Sequence, residues 1–133
     1  MNKIEHIGIA VKNLETAIPI WEKLLGANCY KTEDVSTESV TTAFLAAGPN
    51  KIELLQSTTE DGVISRFINK KGEGIHHIAF AVDDIRGEMQ RLKIAGFQLL
   101  NEEPKIGADN KLVCFLHPKG SSGVLVELCQ EIN

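Results

Sequence analysis

Four residues could share one piece of chemistry: His6 and His77, each opening an apolar run, and Glu53 and Glu127, each interrupting one. HIGIAV (6–11) returns as HIAFAV (77–82) at an offset of 71 residues, and ELLQ (53–56) returns as ELCQ (127–130) at an offset of 74. In extended backbone alternate residues face the same side. His6, Gly8 and Ala10 therefore share a face opposite Ile7, Ile9 and Val11, and His77, Ala79 and Ala81 share one opposite Ile78, Phe80 and Val82. Each imidazole stands over small residues, away from the bulky core, which leaves a hollow. A carboxylate inside KIELL or LVELC is costly unless it is exposed or compensated. One divalent cation held by two imidazoles and two carboxylates accounts for all four residues. Such donors suit Zn, Co, Ni, Mn or Fe, and leave room for two further ligands. Taken singly, a strand histidine is more often hydrogen-bonded and a strand glutamate more often solvated. The recurrence of the pair in both halves shifts the reading to a shared metal. His76, matched by Glu5 in the first half, faces the other way and is not a ligand.

The elements that position these residues also repeat. NLETAIPIWEKLLG (13–26) and DIRGEMQRLKIAG (84–96) read as helices, each opened by a capping residue, Asn13 or Asp84, and closed by Gly26 or Gly96. Leu14, Ala17, Ile18, Trp21, Leu24 and Leu25 follow helical spacing, and Pro19 kinks the helix or shifts its start. Strand-like stretches follow: CYKTEDV, SVTTAFLAAG and KIELLQ in the first half, FQLLNEE, KLVCFLHP and GVLVELCQ in the second. The reading is α+β: a single domain, 1–133, made of two βαβββ repeats (about 4–57 and 75–130). A short helical linker, 58–74, joins them, with Val63, Ile64, Phe67 and Ile68 on one stripe. Trp21 and Phe67 read as core, and Lys70–Lys71 as a solvated helix end.

Composition narrows the function classes. Hydrophobic residues at 43% and charged ones at 24% describe a globular chain able to build a core without disulfides. A net charge of −4 with no basic run argues against a nucleic-acid partner. No apolar stretch approaches a membrane span, and MNKIEHIGIAV carries no targeting pattern, so the expectation is a cytoplasmic protein with no membrane partner. Cys29, Cys114 and Cys129 lack metal-type spacing; the last two lie in apolar runs and read as packing thiols.

HIGIAV and HHIAFAVDDI resemble the vicinal oxygen chelate (glyoxalase/bleomycin resistance) superfamily. EEPKIG (102–107) and FLHPKGSSGVLVEL (115–128) resemble its methylmalonyl-CoA epimerase family, over nearly the whole chain. The resemblance implies that the two βαβββ modules form a curved mixed sheet around a central metal, with ligands His6, Glu53, His77 and Glu127, and usually a homodimer. Some family members have Gln where Glu53 stands, and some carry a glutamate on the preceding strand, where SVTTAF places Thr42. The implied reaction is metal-dependent epimerisation at C2 of an acyl-CoA thioester through a metal-stabilised enolate, with Co, Mn, Ni or Zn as cofactor. Glu53 and Glu127 are the catalytic acid–base candidates. Lys105, His117 and Lys119 are candidates for meeting the acyl carboxylate or a CoA phosphate. A glyoxalase I-type lactoylglutathione lyase and a metal-free binding module of the same fold are the competing readings. An extradiol dioxygenase is disfavoured because Glu53 fills a position that oxygen would need.

Overall fold

A short polar side chain placed just ahead of an amphipathic run starts each repeat's helix. Asn13 Oδ1 accepts from the Thr16 N–H, and Asp84 Oδ1 from the Gly87 N–H. In a computed structural model describing residues 1–132, these caps open α1 (Leu14–Leu25) and α3 (Ile85–Ile94). Gly26 ends α1 in the left-handed conformation at φ 67°. Helix α3 ends one residue before its glycine, at Ala95, and Gly96 follows at φ 100°. Pro19 lies inside α1.

The chain divides into two compact units, residues 6–76, and residues from His77 onward with Met1–Glu5. The first βαβββ run is β1 (Lys3–Ala10), α1, β2 (Lys31–Val35), β3 (Val40–Ala47) and β4 (Asn50–Ser57). Its strand order is β2-β3-β4-β1, parallel between β1 and β4 and otherwise antiparallel. The second is β5 (Gly74–Ala81), α3, β6 (Lys105–Ile106), β7 (Lys111–Leu116) and β8 (Val126–Glu131), in the order β5-β8-β7-β6 with β5 and β8 parallel. Helix α2 (Val63–Lys71) lies in the stretch between β4 and β5. Eight strands and three α-helices among the described residues make the fold α+β, with the two βαβββ runs that the repeats predict. No helix among these residues is long and apolar enough to cross a membrane.

Each repeat buries one face of its strands under its own helix. Ile9, Val11, Leu14, Ala17, Ala43, Leu45 and Leu54 form the first core, with Trp21 packed against it. Val82, Ile85, Met89, Leu92, Cys114, Leu116 and Leu128 form the second. Complete burial of a leucine such as Leu45 or Leu54 contributes about 1.5–3 kcal/mol. Leu24 departs from expectation: it follows the helical spacing yet is exposed, because the stripe facing the sheet is already filled by Leu14, Ala17, Trp21 and Leu25. Phe67 is half-buried, its ring edge-on to His76.

The sharpest departure is at FQLLNEE, which forms no continuous strand. Leu99 makes one isolated bridge to Leu116, and β6 begins only after Pro104. Asn101 is the reason, because its side chain takes the place of a ladder. Its Oδ1 accepts from the Phe115 N–H at 3.1 Å, and its Nδ2 donates to the Glu103 carbonyl at 2.7 Å. Asn101→Ala leaves both backbone groups to find new partners. The expected cost is about 1–3 kcal/mol, read as a lower urea midpoint with an unchanged slope.

Candidate metal centre

On β1, His6, Gly8 and Ala10 face away from the first core, as alternation requires. Strand β4 pairs with it in parallel so that Gly8 lies beside Glu53. The His6 Nδ1 and Glu53 Oε2 atoms are 3.1 Å apart, and both side chains are only 5% exposed.

The second repeat builds the same pair. Ala79 lies beside Glu127 in register, and His77 Nε2 is 2.9 Å from Glu127 Oε1. Both side chains are again buried. Each glutamate also faces a phenylalanine across an antiparallel pair, Phe44 opposite Glu53 and Phe115 opposite Glu127. The Phe115 ring meets His77 edge-on, 5.6 Å between centroids. Phe44 and Phe115 share the histidines' offset of 71 residues, so the three extra residues of the second repeat lie in its β7–β8 connection.

The glutamine that ends each ELxQ motif has a separate task. Three residues on from the glutamate, it faces the helix side of the sheet. There the Leu14 N–H donates to Gln56 Oε1, and the Ile85 N–H to Gln130 Oε1, both at 2.7 Å. These bonds satisfy a backbone donor at each helix start. They also tie the helix to the strand that carries the glutamate.

Two ligands bound at about 2.1 Å and at right angles to each other on one cation lie about 3.0 Å apart. The His–Glu separations of 3.1 and 2.9 Å match that spacing, and the donor types fit a divalent ion. A His⁺–Glu⁻ ion pair gives similar distances, so the chemistry of the donor set, repeated in each half, carries the metal reading. His77 and Glu127 stand among the side chains able to hold a metal ion.

The other candidates fall in different places. Lys105 pairs in register with Val113, which packs with Ala79 and Cys129, so Lys105 shares the face that carries His77 and Glu127. His117 caps the turn Pro118–Gly120, its Nδ1 accepting from the Lys119 N–H at 3.0 Å. Lys119 is exposed. His76 lies edge-on against Phe67, their ring centres 5.0 Å apart. Cys114 and Cys129 are buried, and burial pushes the Cys114 thiol up to about 11, which keeps it protonated at neutral pH and unfit as a nucleophile.

Three buried polar residues were not singled out by chemistry in the sequence: Glu5, Thr42 and Lys111. Lys111 lies 3.6 Å from Glu131 and 4.0 Å from Asp109, beside a cavity of about 310 Å³ that Glu5 and Cys129 also line. A lysine heading a strand reads as surface. Only the packed structure reveals its burial.

The Glyoxalase/Bleomycin resistance protein/Dioxygenase superfamily matches residues 5–115. The ethylmalonyl-CoA/methylmalonyl-CoA epimerase of Cereibacter sphaeroides is 42% identical over 98% of this chain and 98% of its own. A Streptomyces coelicolor methylmalonyl-CoA epimerase variant, solved with 2-nitronate-propionyl-CoA, superposes with a TM-score of 0.94 at 32% identity, covering 100% of this chain and 99% of that one. A methylmalonyl-CoA epimerase solved with methylmalonyl-CoA and ammonium gives 0.92 at 32% identity, over 98% of this chain and 95% of that one. With two buried His–Glu pairs set in duplicated βαβββ runs, the chain belongs to this superfamily and, within it, to the methylmalonyl-CoA epimerases, a family of isomerases.

Proposed function

We propose that the protein epimerises methylmalonyl-CoA at C2, and that His6, Glu53, His77 and Glu127 together hold one divalent cation. The observation that carries the reading is the buried His–Glu pair repeated at equivalent positions of both halves, at 3.1 and 2.9 Å. Kinship with enzymes named for this activity supports the substrate class. When bound, the cation supplies Lewis-acid stabilisation for the negative charge that develops on oxygen as the C2 proton leaves.

The chain's own residues do the rest. Inversion requires a proton to leave one face of C2 and another to arrive at the opposite face. Glu53 and Glu127, from opposite repeats, are the two carboxylates suited to those roles. Phe44, fully buried, and Phe115, half-buried, stand opposite them and limit the water and the rotamers open to the two carboxylates. Lys105, on the face of Glu127, supplies a positive charge for the acyl carboxylate or a CoA phosphate. His117 and Lys119 shape the turn before β8 and complete the substrate-binding set. A homodimer is part of the same proposal.

The test is racemisation of a single methylmalonyl-CoA stereoisomer. Activity should fall by about a hundredfold or more with chelator and return with Co, Mn, Ni or Zn, while methylglyoxal plus glutathione yields no product. Turnover of the thiohemiacetal instead would establish the lactoylglutathione lyase reading. Full racemisation by metal-free protein would refute the metal.

A further inference from the structure

Thr42 is 1% exposed, and its hydroxyl oxygen has no hydrogen-bond partner. It belongs to the ligand-bearing face of the first repeat. On β3, Ala43 and Leu45 point into the core beneath α1, so Thr42 and Phe44 point the other way. Phe44 lies directly opposite Glu53, and Thr42 opposite Leu55 on one side and Glu33 on the other. The hydroxyl is thus one strand across and two residues along from the Glu53 carboxylate, on the face that also carries His6. Lys31 stands on that face too, opposite Phe44, with its ammonium 4.7 Å from the ring centre.

Nothing in the fold asks for this hydroxyl. Its counterpart in the second repeat, at the offset of 71 that relates Phe44 to Phe115, is Val113, equally buried. Valine has the shape of threonine and suits a strand as well. A buried hydroxyl left without a partner is unfavourable, so a partner that arrives with a ligand is its natural complement.

Building on the epimerase reading, we propose that Thr42 is a substrate-contact residue whose hydroxyl donates to the free carboxylate of a malonyl-type acyl group, selecting acyl-CoA thioesters that carry that carboxylate. A carboxylate suits the donor because hydrogen bonds to a charged acceptor are the stronger ones, and Lys31, whose ammonium also lies 3.9 Å from Glu33, offsets that residue's negative charge on the same face.

The test uses Thr42→Val and Thr42→Ser in metal-loaded protein, with malonyl-CoA and propionyl-CoA as probes. Thr42→Val should bind malonyl-CoA about tenfold to a hundredfold more weakly, as expected for a lost hydrogen bond to a charged acceptor. Its affinity for propionyl-CoA, metal content and melting temperature should be unchanged, or the last slightly higher. Thr42→Ser should restore malonyl-CoA binding to within a few-fold. Equal loss for both thioesters, unchanged malonyl-CoA binding, no rescue by serine, or a lower melting temperature would overturn the assignment and make the hydroxyl structural. If the wild-type protein binds neither thioester and racemises nothing, the epimerase reading fails first and the assignment falls with it.

Discussion

Alanine at His6 or His77 is expected to strip the bound metal and lower kcat/KM by about 10²–10³-fold, the range seen when one group stabilising developing charge is removed. Each imidazole is one half of a buried pair, with Glu53 or Glu127 within 3.1 Å. Removing it takes from a buried carboxylate a neighbour at hydrogen-bonding distance, which lowers stability by itself. Metal adds a second effect that is independent of turnover. A cation at 100 times its dissociation constant stabilises the folded state by about 2.7 kcal/mol. Wild-type protein should therefore melt lower after chelation, and neither variant should respond to chelator. Elemental analysis of tag-free protein and paired melting curves check this without an activity assay. Stoichiometric metal in both variants, with wild-type melting, would remove His6 and His77 from the ligand set.

That experiment probes the part of the site most legible in the sequence. His6 over Gly8 and Ala10, and His77 over Ala79 and Ala81, could be assigned faces because strand alternation is strict and the opposite positions are bulky. The helices were legible through Asn13, Asp84 and Gly26, whose conformational roles are local. What could not be read depends on register and on side chains that replace backbone. FQLLNEE has strand-like residues, yet Asn101 bonds the backbone that a strand would have used. Leu24 has helical spacing, but only the packed structure shows which stripe of α1 meets the sheet. Gln56 and Gln130 stood in plain view in the repeated ELxQ, and their helix-tying role needed the fold. Lys111 gives no sign of its burial until the strands are packed together.

Glutamine at Glu53 or Glu127 separates holding a cation from moving a proton. The amide keeps the oxygen and nearly the shape of the carboxylate, so metal should remain bound. It cannot accept a proton, so racemisation should fall by about 10²–10⁴-fold, the usual contribution of a positioned acid or base. The two variants should differ in a way that loss of fold cannot imitate. If each carboxylate serves one face of C2, Glu53→Gln should still exchange deuterium into one stereoisomer and fail on the other, and Glu127→Gln should show the reverse preference. The surviving exchange should be confined to one stereoisomer. Proton magnetic resonance on each pure stereoisomer in deuterated water reads this directly. Wild-type exchange in both variants with metal retained, or loss of the same stereoisomer in both, would move the proton-transfer role away from this pair. The base would then lie among the carboxylates that share the face without forming a His–Glu pair, and Glu33, directly opposite Thr42, is the first to replace.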